Sequence, residues 1–177
     1  MAKSTWAIDA SHSEIGFKIK HLMITNVKGK FQNFEAEAIT EDDDFTKGSV
    51  QFSTDVTSIH TGDAQRDGHL QSPDFFDAQK FPKITFKATK YEKISGDNHR
   101  LTGDLTIRDV TKPVSLDVEF GGIAKDPWGN TKAGFTITGS INRKDWGLTW
   151  NAVTEAGGVL VSEDVKINCD VQLIKKA

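Results

Sequence analysis

Side chains able to do chemistry are few in this sequence, and their spacing does not suit a catalyst. The five histidines, His12, His21, His60, His69 and His99, include no His-Glu-x-x-His, no His-x-His and no pair at helical spacing, so a metal site would have to be assembled from distant segments. The spacing predicts no bound metal, with His12, His21 and His60 bridging turns through hydrogen bonds. Cys169 lies on the apolar side of an alternating run, where a thiol serves as a small hydrophobe and no neighbouring base favours the thiolate. Ser13 follows His12 and aspartates are plentiful, yet no Gly-x-Ser-x-Gly elbow accompanies them. These residues give no catalytic assignment and call for no cofactor.

One polar cluster is compact. Arg66, Asp67 and His69 fall within Thr-Gly-Asp-Ala-Gln-Arg-Asp-Gly-His-Leu at 61–70, where an arginine beside a histidine suits a phosphate, carbonyl or amide headgroup. The competing reading is an Arg66–Asp67 ion pair plus a His69 hydrogen bond that fastens the loop, and the local charges favour it. Trp146 and Trp150 flank a second irregular stretch, and an indole with one polar N–H suits either a lumen entrance or a plug.

The elements that must position these residues are strands. Ile15, Phe17 and Ile19 alternate with Glu14, Gly16, Lys18 and Lys20, the period of two of a strand with one wet face. The same alternation runs through Val50, Phe52 and Val56; Ile84, Phe86 and Ala88; Leu101, Leu105 and Ile107; Val114 to Phe120; Phe135, Ile137 and Ile141; and Val165 to Leu173. Turn signals at Ser95 to Asn98, Asp109 to Pro113 and Asp126 to Asn130 separate the runs, and the acidic run Glu41 to Asp44 reads as a solvated hairpin tip. Consecutive amphipathic strands on short turns predict an all-β, antiparallel barrel of about eight strands. Residues 61–81 are predicted as a short helical excursion with Ser72 as N-cap and Pro73 at the first helical position. The stretch between Trp146 and Glu163 is predicted as a loop or short helix closing one mouth.

The segments near 82–95 and 111–125 would each rise roughly 40 Å, which makes the barrel elongated. Gly103 and Gly139 fall at inward positions and add no volume there. The expected lumen wall is Phe17, Ile19, Phe31, Phe52, Ile84, Phe86, Leu105, Ile107, Leu116, Val118, Phe120, Phe135, Ile137 and Trp146. A long apolar tunnel and a dry core of packed phenylalanines satisfy this pattern equally.

Composition narrows the field further. Lys and Arg number 22 against 25 Asp and Glu over 177 residues, a slight negative balance that argues against nucleic acid as a partner. At 37% hydrophobic and 27% charged the chain is able to build a core, and its length predicts a single domain over 1–177. One cysteine makes no internal disulfide, and no window reaches the roughly 18 apolar residues of a membrane helix. The start, Met-Ala-Lys-Ser-Thr-Trp, carries no apolar signal segment, which predicts a cytoplasmic address for the chain as it stands and a periplasmic one where a signal has been removed.

Several blocks together resemble the YceI-like family: Trp6 to Ser13, Phe17 with Lys20 to Met23, Val27 to Phe31, Ser58 to Thr61 with Arg66 to Leu70, Asp74 to Asp77, Gly103 to Ile107, and Ile141 to Gly147. The likeness runs end to end. It implies a lipocalin-like β-barrel whose tunnel holds a long amphiphile, typically a polyisoprenoid such as an isoprenoid quinone or prenyl phosphate. The expectation is a non-enzymatic lipid-binding protein for storage, transport or protection, with no nucleic-acid partner and no stable membrane insertion; a homodimer is compatible with it. Two other readings stay open: an enzyme using His69 or His12 as general base on an apolar substrate, and a structural or stress-related barrel with a filled core.

Overall fold

The alternating runs become strands of one antiparallel sheet. The computed structural model describes residues 2–151 and 160–176. In chain order the elements are β1 (Lys3–Ile8), β2 (Glu14–His21), β3 (Thr25–Phe31), β4 (Phe34–Glu41), β5 (Asp44–Asp55), β6 (Ile59–His60), α1 (Ala64–Gln71), β7 (Lys83–Ser95), β8 (Asn98–Ile107), β9 (Val110–Lys125), β10 (Thr131–Asn142) and β11 (Val161–Lys175). Of the stretch predicted to close one mouth, 152–159 lies outside the described residues.

Eight strands close a barrel in the order β1-β4-β5-β7-β8-β9-β10-β11, with β1 pairing back onto β11 through Trp6↔Lys175, Ala7↔Ile174 and Ile8↔Leu173. The other short strands extend this wall upward. β2 continues along the β11 edge (Phe17↔Ile167), β3 pairs with β2, and β6 with β3. A 3-10 turn at Ala10–His12 bends β1 into β2, because the Asp9 carboxylate accepts hydrogen bonds from the Ser11 N–H and hydroxyl at 3.2 and 2.8 Å. The strands predicted to be long are long: β7 has 13 residues and β9 has 16.

Two predicted boundaries move. The helix is Ala64–Gln71, capped by Asp63, whose carboxylate accepts from Gln65 N and Arg66 N, and Ser72 closes its C-terminal end. An aspartate followed by a helix-forming run outcompeted Ser72-Pro73, and the proline then follows the helix instead of starting it. The turn placed at Asp109 to Pro113 is confined to Arg108 and Asp109, and Pro113 lies inside β9 opposite Asp104.

Inside, three apolar clusters stack along the barrel axis. Trp6, Ala38, Phe45, Ala133 and Leu173 fill the end near the termini. Phe86, Leu101, Leu116 and Val118 line the middle, and Phe31, Val56, Ile59, Ile84, Ile107, Trp146 and Leu148 gather at the helix end. Trp6 is fully buried and its indole N–H donates to Thr40 Oγ1 at 3.0 Å.

Gly103 and Gly139 face inward as predicted, but they do not leave open space. A Cβ at Gly103 would lie 2.5 Å from the Phe86 ring and 2.6 Å from the Lys87 carbonyl oxygen; at Gly139 it would overlap Leu116 Cδ2. Large side chains lie across these glycines and are aimed by them. Gly103→Ala should therefore destabilise the fold by about 1–3 kcal/mol in denaturant melts. Gly139→Ala should cost less, because only the movable end of Leu116 has to give way. Equal losses would show that the clash with backbone at Gly103 relaxes freely.

Candidate functional site

The stacked clusters do not meet across the whole axis. Between them runs a cavity of about 420 Å³, from Ile8, Phe45 and Leu173 at the terminal end to Arg66, His69 and Trp150 at the helix end. Of the fourteen residues predicted for the wall, all but Phe120 and Trp146 line it. Phe120 has the inward phase, but Phe135 stacks on it at 5.2 Å, with His99 at 5.6 Å and Phe45 at 6.1 Å, so these rings cover it. Trp146 is a plug: 3% exposed, it donates its N–H to the Leu105 carbonyl at 3.0 Å and packs in the helix-end cluster. The rest of the wall is almost entirely aliphatic or aromatic, a surface that offers burial to an apolar chain and few hydrogen bonds.

The polar groups concentrate at the ends. Deep in the barrel, Tyr91 lines the cavity and its hydroxyl bonds His99 Nδ1 at 2.5 Å. Burial pushes the tyrosine pKa well above its ordinary value and the histidine pKa below its own, so the pair is neutral near pH 7.

At the helix end, Arg66 and His69 line the cavity and Asp67 does not. The predicted Arg66–Asp67 ion pair is replaced by a shared grip on Thr61. Arg66 donates from Nε to Thr61 Oγ1 and from Nη2 to Thr61 O, both at 2.8 Å, while Asp67 accepts from the Thr61 N–H at 2.9 Å and hydroxyl at 2.6 Å. Spacing explains the change: the carboxylate of Asp67 reaches back six residues to close the loop, and Arg66, one residue earlier on α1, approaches the same threonine from the lumen side. His69 bonds Asp74 at 3.0 Å, and its ring meets Trp150 edge-on at 4.7 Å and Phe75 at 5.1 Å.

Arg143 was visible in the sequence only as part of a motif, and it is the most buried charge at this mouth. It is 3% exposed and lines the cavity. Its guanidinium donates to four backbone carbonyls, Ser162 O at 2.9 Å, Leu148 O at 2.7 Å, Trp150 O at 2.8 Å and Val161 O at 3.4 Å, with Phe75 facing it at 6.0 Å. No carboxylate lies within ion-pair distance of it among the described residues. Burial lowers its pKa and the more distant Glu163 opposes that shift; a guanidinium is protonated throughout the physiological range, and here its charge is held at the lumen wall by the four carbonyls.

Other candidates lie elsewhere. His12 sits outside the cavity, bonded to Asp9 at 2.8 Å, and Ser13 Oγ bonds the Gln172 backbone instead of His12, so these residues assemble no base for a lumen substrate. Cys169 lines the cavity with its thiol pushed up to about 11, chiefly by burial; the thiolate is scarce at neutral pH. His60 approaches Asp67 only to 3.9 Å, and His21 lines the wall. Among the described residues no group of three or more His, Cys, Asp or Glu is placed to hold a metal.

An elongated barrel around such a lumen is what the sequence blocks pointed to, and the YceI-like domain profile matches residues 6–173. The chain belongs to the YceI-like family. Among its YceI-like relatives, a UPF0312 protein of Staphylococcus aureus (strain N315) is 37% identical over 170 residues, 96% of each chain. The crystal structure of the Campylobacter jejuni YCEI protein is similar with a TM-score of 0.76 at 37% identity, covering 96% of both chains. BcnA of Burkholderia cenocepacia matches at TM-score 0.78 and 23% identity over 93% of this chain and 98% of its own. A polyisoprenoid binding domain from Saccharophagus degradans matches at 0.68 and 14% over 97% and 98%. At these lower identities the likeness to the YceI-like barrel is one of fold.

Proposed function

We propose that this protein binds one long-chain amphiphilic lipid in its lumen, of the polyisoprenoid or isoprenoid quinone class, without turning it over, for storage, transport or protection. The observation that carries the reading is the cavity itself: about 420 Å³, apolar along its length, with protonated Arg143 and polar Arg66 and His69 gathered at one end. Such a gradient matches an apolar tail with a polar head. The polyisoprenoid binding domain from Saccharophagus degradans shares the fold and supports the ligand class. The volume lies toward the small end of the range of roughly 300–1,000 Å³ typical of ligand sites, so a longer chain would fill the lumen and extend beyond it.

Protein purified without detergent should yield an isoprenoid or comparable amphiphile on solvent extraction, identified by mass spectrometry, and the stripped protein should take up added quinone saturably. Turnover of the extracted lipid would favour an enzyme, and an empty extract with no uptake would favour a structural barrel. Arg66→Ala tests the head. It should weaken a phosphate- or quinone-bearing ligand by about 1.5–3 kcal/mol, the range for a hydrogen bond from a charged donor, and leave a headgroup-free isoprenoid chain unchanged. Loss of both ligands together with a lower melting temperature would mean that Arg66 serves only to hold Thr61.

A further inference from the structure

The turn between β2 and β3 is built from the wrong residues for its shape. Leu22 and Met23 stand at φ 54° and 61°, the left-handed region that bulky side chains adopt reluctantly. At the opposite end of the barrel, Asp42 and Asp43 make a turn of the same kind at φ 50° and 64°, with side chains that tolerate it well. Geometry therefore does not demand an apolar tip. Yet Leu22, Met23 and Ile24 are 41%, 53% and 77% exposed, three large hydrophobes in a row. The tip is joined to the cavity wall: Leu22 N–H donates to Leu160 O at 2.8 Å, and His21, Leu160 and Val161 line the lumen.

The outer face behind this tip is basic. Lys166, Lys18 and Lys28 stand directly opposite one another across β11, β2 and β3, all exposed; half-buried Lys30 lies one pleat further from the tip, and Lys20, one pleat nearer it, is exposed and also borders the cavity. None of the five has an ion-pair partner among the described residues: Glu163 on β11 is taken by Lys144 at 2.7 Å, and Asp164, exposed in the outward phase two residues before Lys166, makes no ion pair with any of them. Like charges directly opposite in a sheet destabilise it, and a chain with three more acids than bases has carboxylates to spare for neutralising such a row. The row is left unneutralised on the one face that carries the apolar tip.

We propose that the tip Leu22 to Ile24 and the lysine face of β2, β3 and β11 form a docking surface for an anionic lipid bilayer, which sets the helix-end mouth of the lumen against the membrane. Apolar side chains entering the headgroup region, flanked by lysines at phosphate level, are the two signals that together give reversible surface binding. A second copy fits poorly, because a two-fold contact through this face would press the lysine rows together. The surface does not depend on what the lumen holds, so docking is measured without a lumen ligand.

Co-sedimentation of the full chain with vesicles of phosphatidylcholine, with and without phosphatidylglycerol, tests this. Binding is expected to the anionic vesicles only and to fall steeply as salt is raised to about 0.5 M. Each lysine near the surface accounts for about a fivefold change in partitioning, so Lys18→Glu/Lys28→Glu should reduce binding at least tenfold or so. Ile24→Asp should reduce it comparably with an unchanged melting temperature, since the site is open to solvent. No binding by the parent protein, equal binding to neutral vesicles, or unaltered binding by both variants would overturn the proposal. So would a dimer in sedimentation velocity that Ile24→Asp dissolves while vesicle binding is absent. Lipid extraction is independent of all these outcomes, so a failure of docking and a failure of the lumen reading are told apart.

Discussion

Arg143→Met is expected to destabilise the protein by about 3–5 kcal/mol in denaturant melts, the largest loss for any single substitution at the mouth. The methionine stem occupies most of the same path, so packing changes little. What is lost is a donor set serving Leu148 and Trp150 on one side and Val161 and Ser162 on the other. Those carbonyls were arranged around one guanidinium, and without it at least the more buried of them face an apolar lumen with no partner. Arg143→Lys keeps the charge but cannot fork to both segments, so it should recover ligand binding at the mouth only partly and stability less. A loss under about 1 kcal/mol for the methionine variant would mean that water replaces the guanidinium, and the mouth is then wetter than its burial indicates.

How far the sequence carries is clear from individual positions. Period-two alternation places twelve wall residues on the cavity because each strand keeps one face inward over six or more residues, and a single phase then suffices. It fails where the phase slips. An extra residue at Thr89 shifts the register between Ala88 and Lys90, so the inward series 84, 86, 88 continues at Tyr91, which the alternation puts outside; the Tyr91–His99 pair went unseen for that reason. A similar slip between Gly134 and Phe135 opposite Gly121 marks where Phe120 leaves the open wall. Arg143 was out of reach for another reason. Its role depends on four carbonyls from segments 5 to 19 residues away, and backbone acceptors leave no trace in residue types. The Arg66 and Asp67 charges were legible, but their common partner Thr61 was not, because an ion pair between neighbours is the simpler guess until α1 turns both side chains back toward residue 61.

Ala36→Trp should abolish lumen binding while leaving the barrel folded, and it is the substitution that best separates a carrier from a structural barrel. Ala36 lines the cavity from β4, opposite Phe52 on β5, and an indole there projects into the lumen without displacing backbone. Gly139→Trp is a poorer probe, since Leu116 already fills its space. The energetics make the outcome informative in both directions. An unfilled apolar space forfeits packing contacts and therefore stability. A barrel with only a structural task gains by filling such a space; one that must admit a chain keeps it. Ala36→Trp in the stripped protein should therefore melt at the same temperature or higher, even as quinone or isoprenoid uptake falls by a factor of about ten or more. Glu35→Trp, on the outer face of the same strand, should change neither. Stabilisation with undiminished uptake would place the ligand outside this lumen, and a fall in melting temperature of the size expected for 1–3 kcal/mol of overpacking would mean that the walls have already closed on the space.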